Sequence, residues 1–187
     1  SKGKEVIIDT DEDPTADSTL EELANARAVF RKDGRVTAGN SCPQNDGGAA
    51  VVVVSEEKAK ELGKKPLLEI VDFASSGLNP AVMGIGPIFA IQKLLDKTGV
   101  SLDQVELIEL NEAFASQSIA CIRALGLDPA RVNPNGGAIA LGHPLGATGA
   151  VLTTKAAYAM QNAEREYCIV SMCVGGGEGA AALFRRP

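Results

Sequence analysis

The chain has 187 residues, a formal net charge of −6 and a single histidine. That length supports one substantial domain, and 45% hydrophobic with 22% charged residues is the composition of an ordinary soluble globular protein. The acidic balance argues against a nucleic-acid binder, which needs clustered Lys and Arg, but leaves room for a phosphorylated ligand held by a few local cations or helix N-termini.

The first thirty-five residues are polar and acidic, with Asp9 to Asp13 clustered ahead of Pro14. Residues 18–31 predict a helix capped by Ser18 or Thr19, and Asp33-Gly34 predicts a turn. Residues 49–54 are a continuous apolar, β-branched run that reads as a strand buried on both faces. Residues 56–62 predict a short helix closed by Gly63. From residue 67 the pattern is regular: strand 67–73, helix 87–97, strand 105–110, helix 112–125 and a brief extended piece at Val132. Helix 146–161 follows, then closing strands 167–173 and 180–185. This order implies an α/β layered fold with a mixed five-stranded sheet and helices on both faces.

The cysteines, Cys42, Cys121, Cys168 and Cys173, lack Cys-x-x-Cys spacing, and with one histidine no metal site is expected. No apolar run reaches membrane-spanning length and no signal-peptide pattern is visible, so free thiols in a reducing, cytoplasmic compartment are expected. His143 lies in a glycine-rich stretch from Asn135 to Gly149, between Gly142 and Pro144 and just before a predicted helix. Such a setting points an imidazole from a loop into a cleft, although a satisfied structural histidine is the competing reading. Cys173 is followed by Gly175, Gly176 and Gly177, whose N–H groups can donate to a developing oxyanion. Thiol, imidazole and free N–H groups are the parts of thioester chemistry, while the same glycines also suit a plain hairpin turn. Cys121 and Cys168 read as small buried hydrophobes. Asn111 stands at a strand-to-helix junction: pattern alone favours a helix N-cap, and the strand end is also where ligand-contacting side chains gather.

Three motifs carry a resemblance. They are Asn111-Glu112-Ala113-Phe114, the run from Gly136 through Gly142-His143-Pro144 to Gly146, and Cys173-x-Gly175-Gly176-Gly177. With Thr37-Ala38-Gly39-Asn40 and Met83-Gly84-Ile85-Gly86-Pro87 in the same order, they resemble the thiolase family, the acetyl-CoA C-acyltransferases, over its C-terminal half. The resemblance implies a thiolase-like layered fold. Residues 1–36 would be the tail of the loop domain that covers CoA, 37–64 the last strand and helix of the N-terminal half, and 65–187 the C-terminal domain. It also implies reversible CoA-dependent cleavage of a 3-ketoacyl-CoA, acetoacetyl-CoA first, with coenzyme A as substrate, no permanently bound cofactor and no metal. By the same resemblance His143 activates a nucleophilic cysteine and serves an oxyanion hole, and Asn111 holds the water completing that hole. Cys173 moves the α-proton of acetyl-CoA, and the Gly175 N–H serves a second oxyanion hole. Phe30, Ala38, Cys42, Met83 and Phe114 fall where the family lines its pantetheine and acyl pocket.

Two departures shape the expectation. The family's nucleophilic cysteine belongs to its N-terminal half and has no counterpart here; Cys42 stands where serine is common, with Pro43 replacing glycine. Asp13-Pro14-Thr15 replaces a Pro-Arg pair, removing a cation toward the nucleotide end of CoA. The expected assembly is a thiolase C-terminal half acting with an N-terminal half that carries the nucleophile, as a separate chain or a lost segment, in a dimer or tetramer of assembled units. The rival is a non-catalytic acyl-CoA binding or assembly subunit of the same fold.

Overall fold

The computed structural model describes residues 3, 5–161 and 165–187. Residues 1, 2 and 4, at the start of the expected loop-domain tail, and residues 162–164 lie outside the described residues. Among the described residues the strands are β1 (Glu69–Gly77), β2 (Val105–Leu110), β3 (Tyr167–Val174) and β4 (Glu178–Arg185), in one mixed sheet of order β1-β4-β3-β2. β4 runs antiparallel to β1 and β3, and β2 runs parallel to β3.

Side chains alternate across this sheet into two apolar layers, because a strand's period of two sends successive residues to opposite faces. Ile108 and Leu110 of β2, Ile169 of β3 and Leu183 of β4 join Ala90, Ile91 and Leu94 of helix α3 (Gly86–Thr98) and Cys121 of helix α4 (Ala115–Leu125). Leu107, Cys168, Val170 and Phe184 face the other way, onto Leu152, Ala156, Ala159 and Met160 of helix α6 (Thr148–Gln161). The alanines let α6 lie close against the β2–β3 pair. Helices thus cover both faces, as the sequence predicts.

The fifth strand is absent among the described residues. Residues 49–54 form no ladder, and Val52 is 90% exposed. A β-branched run has strand propensity but no hydrogen-bond partner of its own, and none of the four strands lies alongside to supply one. Helix α1 is likewise shorter than predicted, spanning Leu20–Asn25. Its start is as expected, with Thr19 and Glu22 forming a reciprocal capping box. Beyond it Ala28 bridges Thr37, and the Val29 N–H donates to the Val36 carbonyl at 2.9 Å around a turn at Asp33, so this pairing takes the residues a longer helix would need. Helix α2 (Glu56–Glu61) is capped by the Ser55 hydroxyl, and helix α5 (Ala138–Leu141) is a single turn in the glycine-rich loop.

The start of α3 touches the sheet backbone directly. A Cβ at Gly179 on β4 would fall on the Gly86 carbonyl, and one at Gly86 would fall on the Glu178 carbonyl. Neither neighbour is a flexible side chain, so the crowding cannot be relieved by a rotamer change. We expect Gly179→Ala to cost about 1–3 kcal/mol, read as a lower urea midpoint at unchanged slope. A wild-type midpoint would mean that helix and strand separate at no cost.

Candidate active site

The parallel strands β2 and β3 open at their C-terminal ends, and the candidate residues lie there. The Asn111 N–H, one residue past β2, donates to the Ser171 carbonyl of β3 at 2.9 Å, and Cys173 lies two residues farther along β3. Asn111 is 1% exposed, and it is not a helix cap: α4 begins four residues later, with Phe114 at the cap position. The intervening residues are held elsewhere. Glu112 accepts from the Ile139 N–H and from Asn133 Nδ2, each at 3.2 Å, and so ties the chain after β2 to the glycine-rich loop. Gly137 makes room for this, since a Cβ there would fall on the Glu112 carboxylate. Asn133, at φ 48°, stitches the start of the loop to β2: its Oδ1 accepts from the Leu110 N–H and its Nδ2 donates to the Leu110 carbonyl, both at 2.8 Å.

His143 sits at the far end of that loop, and three contacts define it. Its backbone N–H donates to Asn45 Oδ1 at 2.9 Å, while Asn45 Nδ2 reaches Asp13. Its ring Nδ1 lies 2.7 Å from the Thr148 hydroxyl, and its Nε2 lies 3.4 Å from Asn111 Nδ2. The Thr148 hydroxyl already donates to the Pro144 carbonyl at 2.9 Å. A hydroxyl has one proton to give, so toward the ring it accepts, and Nδ1 carries the hydrogen. Nε2 is then the free base, and it faces the Asn111 amide. Burial holds the ring below the ordinary imidazole range, which keeps Nε2 unprotonated near neutral pH.

The four free thiols differ from an activated nucleophile in the same direction. Burial pushes Cys173 up, with the nearby Cys42 thiol adding to the rise. Cys42 and Cys121 are also raised by burial, and Cys168 is pushed up to about 12. None has the depressed value that makes a thiolate at neutral pH. Cys173, half-buried at the end of β3, is held as the neutral thiol by that burial.

The expected pocket residues are brought together in part. The rings of Phe30 and Phe114 meet edge to face, with centroids 6.1 Å apart at 78°. Ser41 bridges Phe114, and the Cys42 N–H donates to the Ala113 carbonyl at 3.2 Å, so Cys42 lies beside the Asn111 segment. Met83 lies in the 3-10 stretch Pro80–Ile85, whose Gly84 carbonyl contacts the Cys121 thiol at 3.7 Å. Ala38, in the 3-10 turn Ala38–Asn40, and Gly175, in the β3–β4 turn, are exposed. No hydrogen bond among the described residues joins Gly175, Ala38 or Met83 to His143. Sequence reading passed over Asn45, Glu112 and Thr148. Asking what orders a lone imidazole at a helix start would have singled out Thr148; Asn45 is 98 residues from His143 and leaves no local signal.

The thiolase C-terminal domain model matches residues 64–186, and the thiolase N-terminal domain model matches residues 1–57. The chain belongs to the thiolase family. It is 51% identical to an acetyl-CoA acetyltransferase of Pseudomonas aeruginosa, across 99% of this chain and 47% of that protein. It is 47% identical to a beta-ketothiolase of Cupriavidus necator, across 100% of this chain and 48% of that protein. Among solved structures, the Bacillus anthracis acetyl-CoA acetyltransferase superposes with a TM-score of 0.94 at 47% identity, over 100% of this chain and 48% of that one. Human mitochondrial 3-ketoacyl-CoA thiolase in complex with CoA gives 0.89 at 43% identity, over 95% and 45%. The chain spans about half the length of the curated relatives it matches. A separate N-terminal partner chain, expected from the sequence, gains no support, because the N-terminal domain model already matches part of this chain. Among the described residues no helix is long and apolar enough to cross a membrane, and no cluster of His, Cys, Asp or Glu could hold a metal ion.

The imidazole of this thiolase-family chain is directly testable, since no other histidine occurs in the 187 residues. We expect 15N-labelled protein to show the Nδ1–H tautomer and a titration midpoint below the ordinary value of about 6.5. The unfolded chain then binds this proton first as pH falls, so the neutral ring's contribution to stability is complete above about 6.5 and is lost as pH falls through the folded-state value. Thr148→Val should abolish the tautomer preference and lower stability by about 1–3 kcal/mol, the cost of an orphaned buried donor. An unchanged tautomer in that variant would contradict the assignment.

Proposed function

We propose that this chain supplies the acid/base half of a thiolase active site, acting in reversible CoA-dependent cleavage of a 3-ketoacyl-CoA to acetyl-CoA, with acetoacetyl-CoA as the first substrate to test. The observation that carries this reading is the placement of His143 where β2 and β3 open, with Nδ1 2.7 Å from the Thr148 hydroxyl and Nε2 3.4 Å from Asn111 Nδ2. An imidazole base so placed is what a thiol nucleophile requires. We assign the nucleophile to none of the four cysteines seen here, since burial raises each of them rather than favouring the thiolate. In this reading it belongs to the part of the family's length that these residues do not span.

The proposed cycle uses these groups together with that nucleophile. His143 Nε2 takes the nucleophile's proton, and the thiolate attacks the keto carbon. The imidazolium now has an Nε2–H to donate to the developing oxyanion, while Nδ1–H stays on Thr148. Asn111 Oδ1, buried and without a hydrogen-bond partner among the described residues, is free to hold a water beside that oxygen. The carbon–carbon bond then breaks, leaving an acyl-enzyme thioester and an acetyl-CoA carbanion. Cys173 protonates the carbanion from its neutral thiol, and the exposed Gly175 N–H is the donor for the enolate oxygen. Free CoA–SH gives its proton to the Cys173 thiolate and attacks the acyl-enzyme thioester, and the departing nucleophile thiolate recovers its proton from the His143 imidazolium. Phe30, Phe114, Cys42, Met83 and Ala38 would line the pantetheine and acyl pocket, a role supported by the Phe30–Phe114 pair and the position of Cys42.

The same reading divides the chain at about residues 36 and 64. The second division is supported by the start of the layered sheet at Glu69. A purely binding subunit of this fold requires neither a fixed tautomer nor a protonated thiol at the strand end, which is why the catalytic reading is preferred. In the full-length protein we expect Cys173→Ala to slow deuterium exchange at the α-carbon of acetyl-CoA by about 10²-fold or more while sparing acylation of the nucleophile. Exchange at the wild-type rate would remove Cys173 from this role. Acetyl-CoA binding with no exchange in the wild-type protein would support the binding subunit.

A further inference from the structure

The glycine-rich loop is tied to helix α6 at both ends. At the His143 end, Thr148 in the first turn of α6 accepts from the imidazole. At the other end, Lys155 Nζ donates to the Gly136 carbonyl at 2.5 Å. The same ammonium pairs with Glu109 Oε2 at 2.8 Å. Glu109 lies on β2, two residues before Asn111, and is fully buried at 0% exposure; Lys155 is 19% exposed. Thr148 and Lys155 are about two helical turns apart, ~10 Å along one face of α6. One rigid helix therefore sets the distance between the start of the loop and the imidazole it delivers.

Packing does not explain this pair. A buried ion pair generally gives stability no better than apolar side chains of the same size, because desolvation offsets the attraction. Here the desolvation is only partly offset: Glu109 Oε1 has no hydrogen-bond partner among the described residues, and burial raises the carboxyl above its usual range. The ammonium does something an apolar residue could not do, which is to hold a backbone carbonyl of the loop.

We propose that Lys155 is a positioning residue for His143, anchored on the buried Glu109 carboxylate and fixing the Gly136 carbonyl so that the loop presents the imidazole to Asn111. Its value to catalysis rests on the thiolase reading of His143, but the geometry and its test do not. The test is 1H–15N spectroscopy of His143 in Lys155→Met, Lys155→Arg and the paired variant Glu109→Gln/Lys155→Met, each with a thermal melt. With the tether gone, the ring's two nitrogen shifts should converge toward the average of exchanging tautomers and its midpoint should move toward the ordinary imidazole value. Lys155→Arg, which can serve both acceptors, should restore the wild-type signature. Should Lys155→Met leave the buried carboxyl uncompensated and fail to fold, the paired variant, uncharged at both positions, carries the same comparison. A wild-type ring signature in the paired variant, whatever its melting temperature, overturns the proposal and leaves a core ion pair. Failure of the Cys173 exchange experiment would leave this readout untouched, so the two ideas fail separately.

Discussion

The direction of the hydrogen bond between His143 Nδ1 and the Thr148 hydroxyl turns on that hydroxyl donating its hydrogen bond to the Pro144 carbonyl. Reversing this single donor would put the hydrogen on Nε2 and leave the ring facing Asn111 as an acid. The relay is local, spanning Pro144 to Thr148, yet it sets which ring nitrogen faces Asn111. It also explains why proline and a helix start follow the histidine. Pro144 offers its carbonyl to the Thr148 backbone N–H at 2.9 Å and to the Thr148 side chain at the same distance, so the first turn of α6 and the tautomer form together.

That coupling gives α6 two roles. Its apolar face, Leu152, Ala156, Ala159 and Met160, closes one layer of the core, while Thr148 and Lys155 reach the loop and the buried carboxyl of β2. In the opposite layer, α3 and α4 bury the other side of β2 and β3 and leave the strand ends free. Placement of Asn111 and Cys173 follows from strand register, and placement of His143 follows from the helix. The site is where the two meet.

Much of this was legible in the sequence because it is periodic. β2 was predicted over the residues it occupies, and α3, α6, β3 and β4 within a few residues at their ends. The errors fall where a distant partner overrides local preference. Asn111 looks like a helix cap until Glu112 is drawn off by Ile139 and Asn133, which delays α4 to Ala115. The predicted helix through Val29 yields to pairing with Val36. Of the candidate site, His143 and Cys173 stood out by their glycine-rich surroundings, whereas Asn111 read on pattern alone as a helix cap and entered the site only through the family resemblance. Asn45, Glu112 and Lys155 did not stand out, because ordinary polar residues acquire meaning only from the long-range contacts they make.

Residues 49–54 hold a different lesson. From Gly47 to Ser55 there is no charged side chain, and Val51 to Val54 are all at least 45% exposed. A short, uncharged, β-branched segment without a ladder partner is the pattern that recruits like segments from neighbouring molecules. Asp46 on one side and Glu56, Glu57 and Lys58 on the other act as charged gatekeepers that resist such stacking. Salt screens those flanks, so in concentrated solution ionic strength is the condition expected to set how freely the valines associate.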